Sequence, residues 1–228
     1  MKVIGVSKMT VGIIYCETLE SEIKELVRGI TEIGCLEPMP WGLHIDPDKL
    51  LGEVRKKIER LQDRVDAIVL GYGRCQAMDR LGSDFKVPIL RPAAEDCIGI
   101  LLGQDRYEAE LQCEPGTWFL SPGWTQMGID FVFHELQINR IGREDIDPLQ
   151  LARRMLDGFT RALYIDMGLD RDGKDLPDRA CRIAADLDLR LEKTNGSYAL
   201  LKNVIEQALN LGTFPVPKTG ESYLKTLS

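Results

Sequence analysis

No two of the six cysteines stand as Cys-x-x-Cys, which excludes a zinc ribbon and a thioredoxin-type redox motif. There is no Gly-x-Ser-x-Gly elbow, so a serine nucleophile of the hydrolase kind is excluded as well. The chain lacks a Lys/Arg block of the sort that follows a nucleic acid backbone, and its net charge is −7. Both features argue against nucleic acid as a partner. No apolar run approaches the roughly 20 residues of a membrane helix. Residues 1–9 have neither the apolar core nor the small-residue cleavage site of a signal peptide. The expected location is therefore the cytoplasm, with no membrane partner, where thiols stay reduced. Widely spaced cysteines there point to metal binding, redox chemistry or plain core residues rather than a disulfide framework. Low-complexity segments and short repeats are absent too.

What is present is the pattern of an α/β protein. The 228 residues, 44% hydrophobic and 29% charged, suffice for one large domain or two small ones. Residues 11–15 form an apolar strand with Cys16-Glu17 at its end. Thr18 can cap the helix that follows, in which Ile23, Leu26, Val27, Ile30 and Ile33 recur at helical spacing up to Gly34. Residues 35–39 are a second strand. Asp46-Pro47 predicts a helix start, with Leu50, Leu51, Val54, Ile58 and Leu61 as its apolar stripe. Strands at 65–70 and 87–90 come next, then a helix capped by Glu95 or Asp96 and a short one at 105–111. This alternation is the signature of a doubly wound, mostly parallel sheet with helices on both faces.

The middle of the chain changes character. A short strand at 117–120 lies between Pro-Gly turns, and residues 126–139 read equally as strand (Ile129, Phe131 and Phe133 alternate) or as helix. Asp147-Pro148 starts a further helix, followed by a strand at 163–167, a helix at 176–187 and a strand at 188–191. Ser197 can cap a last helix that buries Leu200, Leu201, Val204, Ile205 and Leu209. The tail at 214–217 is expected to be extended and the final ten residues loosely held. The expected organisation is a βα half at 1–112 carrying the Cys and His motifs, an irregular segment at 113–146, and a second βα half at 147–228. These would form two Rossmann-like halves around a cleft, or one continuous domain.

The most informative stretch is Ala67-Ile-Val-Leu-Gly-Tyr-Gly-Arg-Cys75, a buried strand that opens into a tight glycine turn with a thiol just beyond. Ligands of open parallel sheets bind at strand carboxyl ends, and neighbouring ends lie about 5 Å apart. Cys16, His44, Cys75 and Cys97 all fall where strands end, so they are the expected metal ligands. Three thiolates and one imidazole suit zinc or an iron–sulfur cluster. Helix starts beside Cys16 and Cys97 favour the thiolate form. Glu17, Glu95 and Asp96 are expected to orient the ligands or move protons. Arg74 and Arg91 suit an anionic substrate group, or ion pairs with Glu95 and Asp96. Gly71 and Gly73 let the chain turn, since the third glycine of a dinucleotide fingerprint is missing. Each residue also has a plainer use. A single cysteine, Cys35, Cys113 and Cys181 included, is commonly a small buried hydrophobe. Trp118 and Trp124 serve a pocket wall or the core. Cys75 acting as a nucleophile with His44 as its base, and no metal, is the remaining chemical option.

Several motifs occur together in one known family. These are Cys16-Glu17 with Glu22, Leu43-His44-x-x-Pro47, Gly71-Tyr72-Gly73-x-Cys75, and Asp96-Cys97-Ile98 with Leu101-Leu102-Gly103. Pro115-Gly116-Thr117 with Gly123-Trp124, and Ala162-Leu163-Tyr164-Ile165-Asp166-Met167-Gly168, complete the series. In this order the chain resembles the uncharacterised domain of unknown function 1638 family over roughly residues 11–215. Gln76-Ala-Met-Asp79 departs from the small, glycine-rich continuation of that family. The resemblance implies a protein of archaea and bacteria, many of them anaerobes, that works beside corrinoid-dependent methyl transfer. Joined to the thiol set, it raises the expectation of a metal- or iron–sulfur-binding protein of one-carbon metabolism. Its partner would be a small molecule or a corrinoid or methyltransferase protein. A non-catalytic carrier of metal or cofactor for a methyltransferase is the alternative.

Overall fold

Capped amphipathic stretches and short apolar runs become helices and strands in alternation. The computed structural model of the chain describes residues 9–141, 146–169, 175–211 and 224–227, the last as backbone. Those residues fall into two compact units, one within Met1–Ile100 and Tyr198–Ser228, the other within Leu101–Ser197. The first begins with β1 (Val11–Cys16), a 3-10 turn at Glu17–Leu19, α1 (Glu20–Leu26) and β2 (Ile33–Met39). It continues with a 3-10 turn at Leu43–Ile45, α2 (Pro47–Leu61), β3 (Ala67–Gly71), α3 (Gln76–Asp79) and β4 (Ile89–Pro92). From α4 (Cys97–Leu102) the chain enters the second unit, with α5 (Gln104–Cys113), β5 (Thr117–Leu120), α6 (Pro122–Met127) and α7 (Ile129–Glu135). Then come α8 (Pro148–Met155), β6 (Arg161–Asp166), α9 (Leu176–Asp186) and β7 (Arg190–Asn195). Finally α10 (Ala199–Asn210) and β8 (Leu224–Leu227) belong to the first unit again.

Both sheets are parallel throughout, in the orders β2-β1-β3-β4-β8 and β5-β6-β7. The α/β class is as the sequence pattern indicates. In α2, Asp46 accepts a hydrogen bond from the Lys49 amide at 3.0 Å and Pro47 occupies the first turn. Leu50, Val54, Ile58 and Leu61 of α2 are 1% exposed or less and pack with Ile14, Ile68, Leu70 and Ile89 of the sheet. Burial of each such side chain contributes ~1.5–3 kcal/mol. Meanwhile α10 lies on β3 and β4, and its buried Leu201, Val204, Ile205 and Ala208 lie outside the α2 cluster. Helices therefore cover both faces of the first sheet.

In the second unit the ambiguous stretch after Gln126 is helical. Ile129, Val132, Phe133 and Leu136 enter the core at i, i+3, i+4, i+7 spacing, and Gly128, at φ 75°, separates α6 from α7. Ser121 caps α6 by accepting from the Trp124 amide at 3.2 Å. The last strand starts at Arg190, not 188, because Asp188 is turned to φ 57°. The segment's two ends meet: the Ser197 amide donates to the Leu101 carbonyl at 2.7 Å.

One expected cap is not made, and another N-cap falls a residue later than expected. Thr18 turns its hydroxyl to Cys16 instead of capping α1, which stops at Leu26, so that Ile33 opens β2. Ser197 precedes the true N-cap, Tyr198, which makes no side-chain cap bond. Residues 214–217 lie outside the described residues, whereas 224–227 pair in parallel with β4. Among the described residues no helix is long and apolar enough to cross a membrane.

Candidate functional site

Three strand ends of the first unit carry the thiols. β1 and β3 run in parallel register up to the pair Tyr15–Gly71, so Cys16 and Tyr72 emerge side by side one residue later. Cys16 is 8% exposed, and its Sγ accepts a hydrogen bond from the buried Thr18 hydroxyl at 3.1 Å. Only glycine fits at 71, where a Cβ would stand 2.7 Å from that of Tyr15. Gly73 is equally constrained: a Cβ there would come 2.6 Å from the Asp96 amide nitrogen. Next to it the Arg74 amide donates to the Ala94 carbonyl at 2.6 Å. The loop after β3 is thus seated on the loop after β4. Beyond these clamps, Cys75 opens α3. Asp96 accepts from the Gly99 amide at 2.9 Å and so starts the turn that Cys97 begins.

Tyr72 is the point on which these loops bear. It is 7% exposed, and its hydroxyl is buried with no hydrogen-bond partner among the described residues. Burial first, then the charges of Cys16, Cys75 and Cys97, push the phenol well above its ordinary value. The three thiols therefore all lie within electrostatic reach of one oxygen atom. Cys16, Tyr72 and Cys75 also pack in one core cluster with Met39, Leu50 and Met78, which excludes water from this face.

His44 is not brought into the same grouping. It sits on the exposed turn Leu43–Ile45. Among the described residues, no three His, Cys, Asp or Glu side chains are arranged to hold one metal ion. Glu17 is exposed and accepts from the Trp41 amide at 3.4 Å. Glu95 and Arg74 are exposed, while Asp96 is half-buried in its capping role. Arg91 is buried and pairs with Asp79 at 2.7 Å, not with Glu95 or Asp96. Of the other thiols, Cys35 is pushed up chiefly by burial and lies under Gly12, where a Cβ would be 3.1 Å from its sulfur. Cys113 and Cys181 are exposed.

Sequence reasoning missed Tyr72 and Asp79 as parts of this site. Tyr72 had a readable signal, because it continues the one-face alternation Ile68, Leu70, Tyr72 beyond the strand end. Asp79 had none: its partner Arg91 is distant in sequence and in another element.

A family model described as protein of unknown function (DUF1638) matches residues 38–205. The chain belongs to that family. The match takes in His44, Tyr72, Cys75, Asp79, Arg91 and Cys97, while Cys16 precedes it. No curated protein matches the DUF1638 chain, and no solved structure matches it.

Proposed function

We propose that this DUF1638 protein holds an iron–sulfur cluster on Cys16, Cys75 and Cys97 and serves corrinoid-linked methyl transfer in the cytoplasm. The observation that supports the reading is that Cys16, Cys75 and Cys97 follow the ends of three neighbouring parallel strands, the loops of the last two seated on each other at Gly73 and Asp96. The donor set suits a cluster better than zinc. Four zinc ligands must meet one atom at about 2.3 Å, and among the described residues no three His, Cys, Asp or Glu side chains are so arranged. In a cluster each thiolate binds a different iron, which allows wider spacing. Such a cluster supplies one-electron transfer when bound. The chain's own contribution is to hold Cys75 and Cys97 on two clamped loops, to pack Cys16 and Cys75 against Met39, Leu50 and Met78, and to present the Thr18 hydroxyl as a hydrogen-bond donor to Cys16. The methyl-transfer setting follows from the family's company and not from any side chain.

Anaerobic purification followed by iron, sulfide and zinc analysis and a visible spectrum tests the proposal. Iron, sulfide and a broad visible band are expected. Cys16→Ser, Cys75→Ser and Cys97→Ser should each lose most of both, while Cys113→Ser and Cys181→Ser keep them. Stoichiometric zinc without sulfide would overturn the cluster, and colourless, metal-free protein of normal stability would overturn any metal. Fast alkylation of Cys75 in such metal-free protein would favour the nucleophile instead.

A further inference from the structure

Two arginines of this chain are equally buried and are treated very differently. Arg161, on β6, is 5% exposed. Its Nε donates to the Thr117 hydroxyl at 2.9 Å, its Nη1 to Glu192 at 3.2 Å, and its Nη2 meets Glu110 at 2.9 Å. Every nitrogen is matched, as a buried guanidinium that cannot discharge requires. Arg91, on β4, is also 5% exposed. Among the described residues only its Nη2 is matched, by Asp79 at 2.7 Å. Nε and Nη1 are buried with no hydrogen-bond partner among the described residues. A buried cation left with unmatched donors is costly, and Asp79 is a poor remedy, since its side chain is 50% exposed and solvent weakens such a pair.

The surroundings indicate what completes the set. Asp79 lines an open cleft of about 510 Å³ together with Pro47, Asp48, Gln76 and Arg80. A second cation–carboxylate pair, Arg80 with Asp48 at 2.8 Å, stands on the same rim with both partners substantially exposed. Arg91 follows Ile89 by two residues on the strand, so both face the α2 side of the sheet, where Ile89 packs in one cluster with Cys16 and Tyr72. Asp79 therefore stands between an open cleft and a buried guanidinium left under-satisfied by the described residues, on the face that carries Cys16.

We propose that Arg91 is the receptor for an oxyanion of a small ligand, a carboxylate or a phosphate, and that Asp79 is its exchangeable stand-in. The ligand enters by the cleft at Asp79, takes over Nη2, and offers its remaining oxygens to the unmatched nitrogens. Asp79 then swings into water at little cost, because it is already half there. Binding exchanges one ion pair for another, so no bond is made or broken. The site needs no metal and stands whether or not the thiols hold one.

The test uses the full-length protein as purified. Its thermal midpoint is followed against inorganic phosphate and, separately, sodium acetate, at constant ionic strength set with chloride. A saturable rise with one anion is expected, because a ligand that binds only the folded state raises its stability by mass action. Phosphate acting alone identifies a phosphate-bearing ligand, and acetate acting alone a carboxylate. Asp79→Asn removes the competitor and should tighten the apparent dissociation constant roughly tenfold. Arg91→Gln should abolish the saturable effect. If that variant does not fold, Asp79→Asn still decides the matter. No saturable effect in either wild type or Asp79→Asn would overturn the proposal, leaving a buried water to satisfy Arg91. Binding that Asp79→Asn does not tighten would overturn it too, since the anion would then sit elsewhere.

Discussion

Gly73 rests directly on the backbone of Asp96, so closely that a methyl group at 73 would lie 2.6 Å from the Asp96 nitrogen and 2.7 Å from its Cα. That contact is what holds the loop bearing Cys75 against the loop bearing Cys97. Backbone cannot move aside as a flexible side chain can, so Gly73→Ala should separate the two loops. The expected loss is ~1–3 kcal/mol in urea denaturation, in the range of overpacking. The variant should also lose most of whatever the three thiols bind. A variant with wild-type midpoint and wild-type binding would show that the loops are not fastened at this point.

Tyr72→Phe should act in the opposite sense on the unliganded chain. The hydroxyl is buried and unmatched, and leaving such a group unsatisfied costs about 1–3 kcal/mol. Its removal should leave the stability of metal-free protein unchanged or raise it by about 1 kcal/mol. Loss of stability by a similar amount would mean that the hydroxyl has a partner in solution.

The pH dependence of stability has two arms. On the acid side, Glu37 is held low chiefly by the hydrogen bond from Lys57 at 2.6 Å, with the Lys57 and Arg60 charges helping. Asp166 is held low chiefly by its hydrogen bond from Lys193. Both carboxylates release their protons more readily when folded, so their contribution is complete above the ordinary carboxylate range of about 4. It is lost as pH falls through their lowered folded values. On the alkaline side, burial first and then Glu20, Glu17 and Glu37 push Tyr15 up from 10.0 to about 12. The unfolded chain gives up that proton earlier, so stability falls as pH rises from 10 towards about 12. Thermal midpoints measured across both ranges check this. Glu37→Gln should flatten the acid arm and Tyr15→Phe the alkaline arm, and an unchanged slope in either variant would remove that residue from the account.

Elements whose burial repeats along one chain segment were legible in the sequence. The stripe Leu50, Val54, Ile58, Leu61 and the cap Asp46 are local facts, and α2 forms accordingly. The same holds for the apolar run before Gly71, which becomes β3. What could not be read depends on partners remote in sequence. Thr18 is the exception, since it gives its hydroxyl to Cys16, only two residues back, instead of capping α1. The stretch after Gln126 is settled as helix by the side chains it meets in the second core. In the site, the strand-end rule placed Cys16, Cys75 and Cys97 correctly at three neighbouring ends. It could not tell that His44 rides an exposed turn, nor that Arg91 chooses Asp79 over nearby acids.

The hydrogen bond between Ser197 and Leu101 has a bearing on how the protein is made. The second unit is an uninterrupted segment whose two ends are tied together, the geometry of an insertion between two parts of a host. During synthesis all of its residues are made before α10 is. The first unit, although its leading strands are made earlier, must wait for α10 before β3 and β4 are covered on that side. The guest is therefore complete as a segment before the host is. The sheet whose strand ends carry the thiols acquires its α10 cover only after the whole of the second unit has been made.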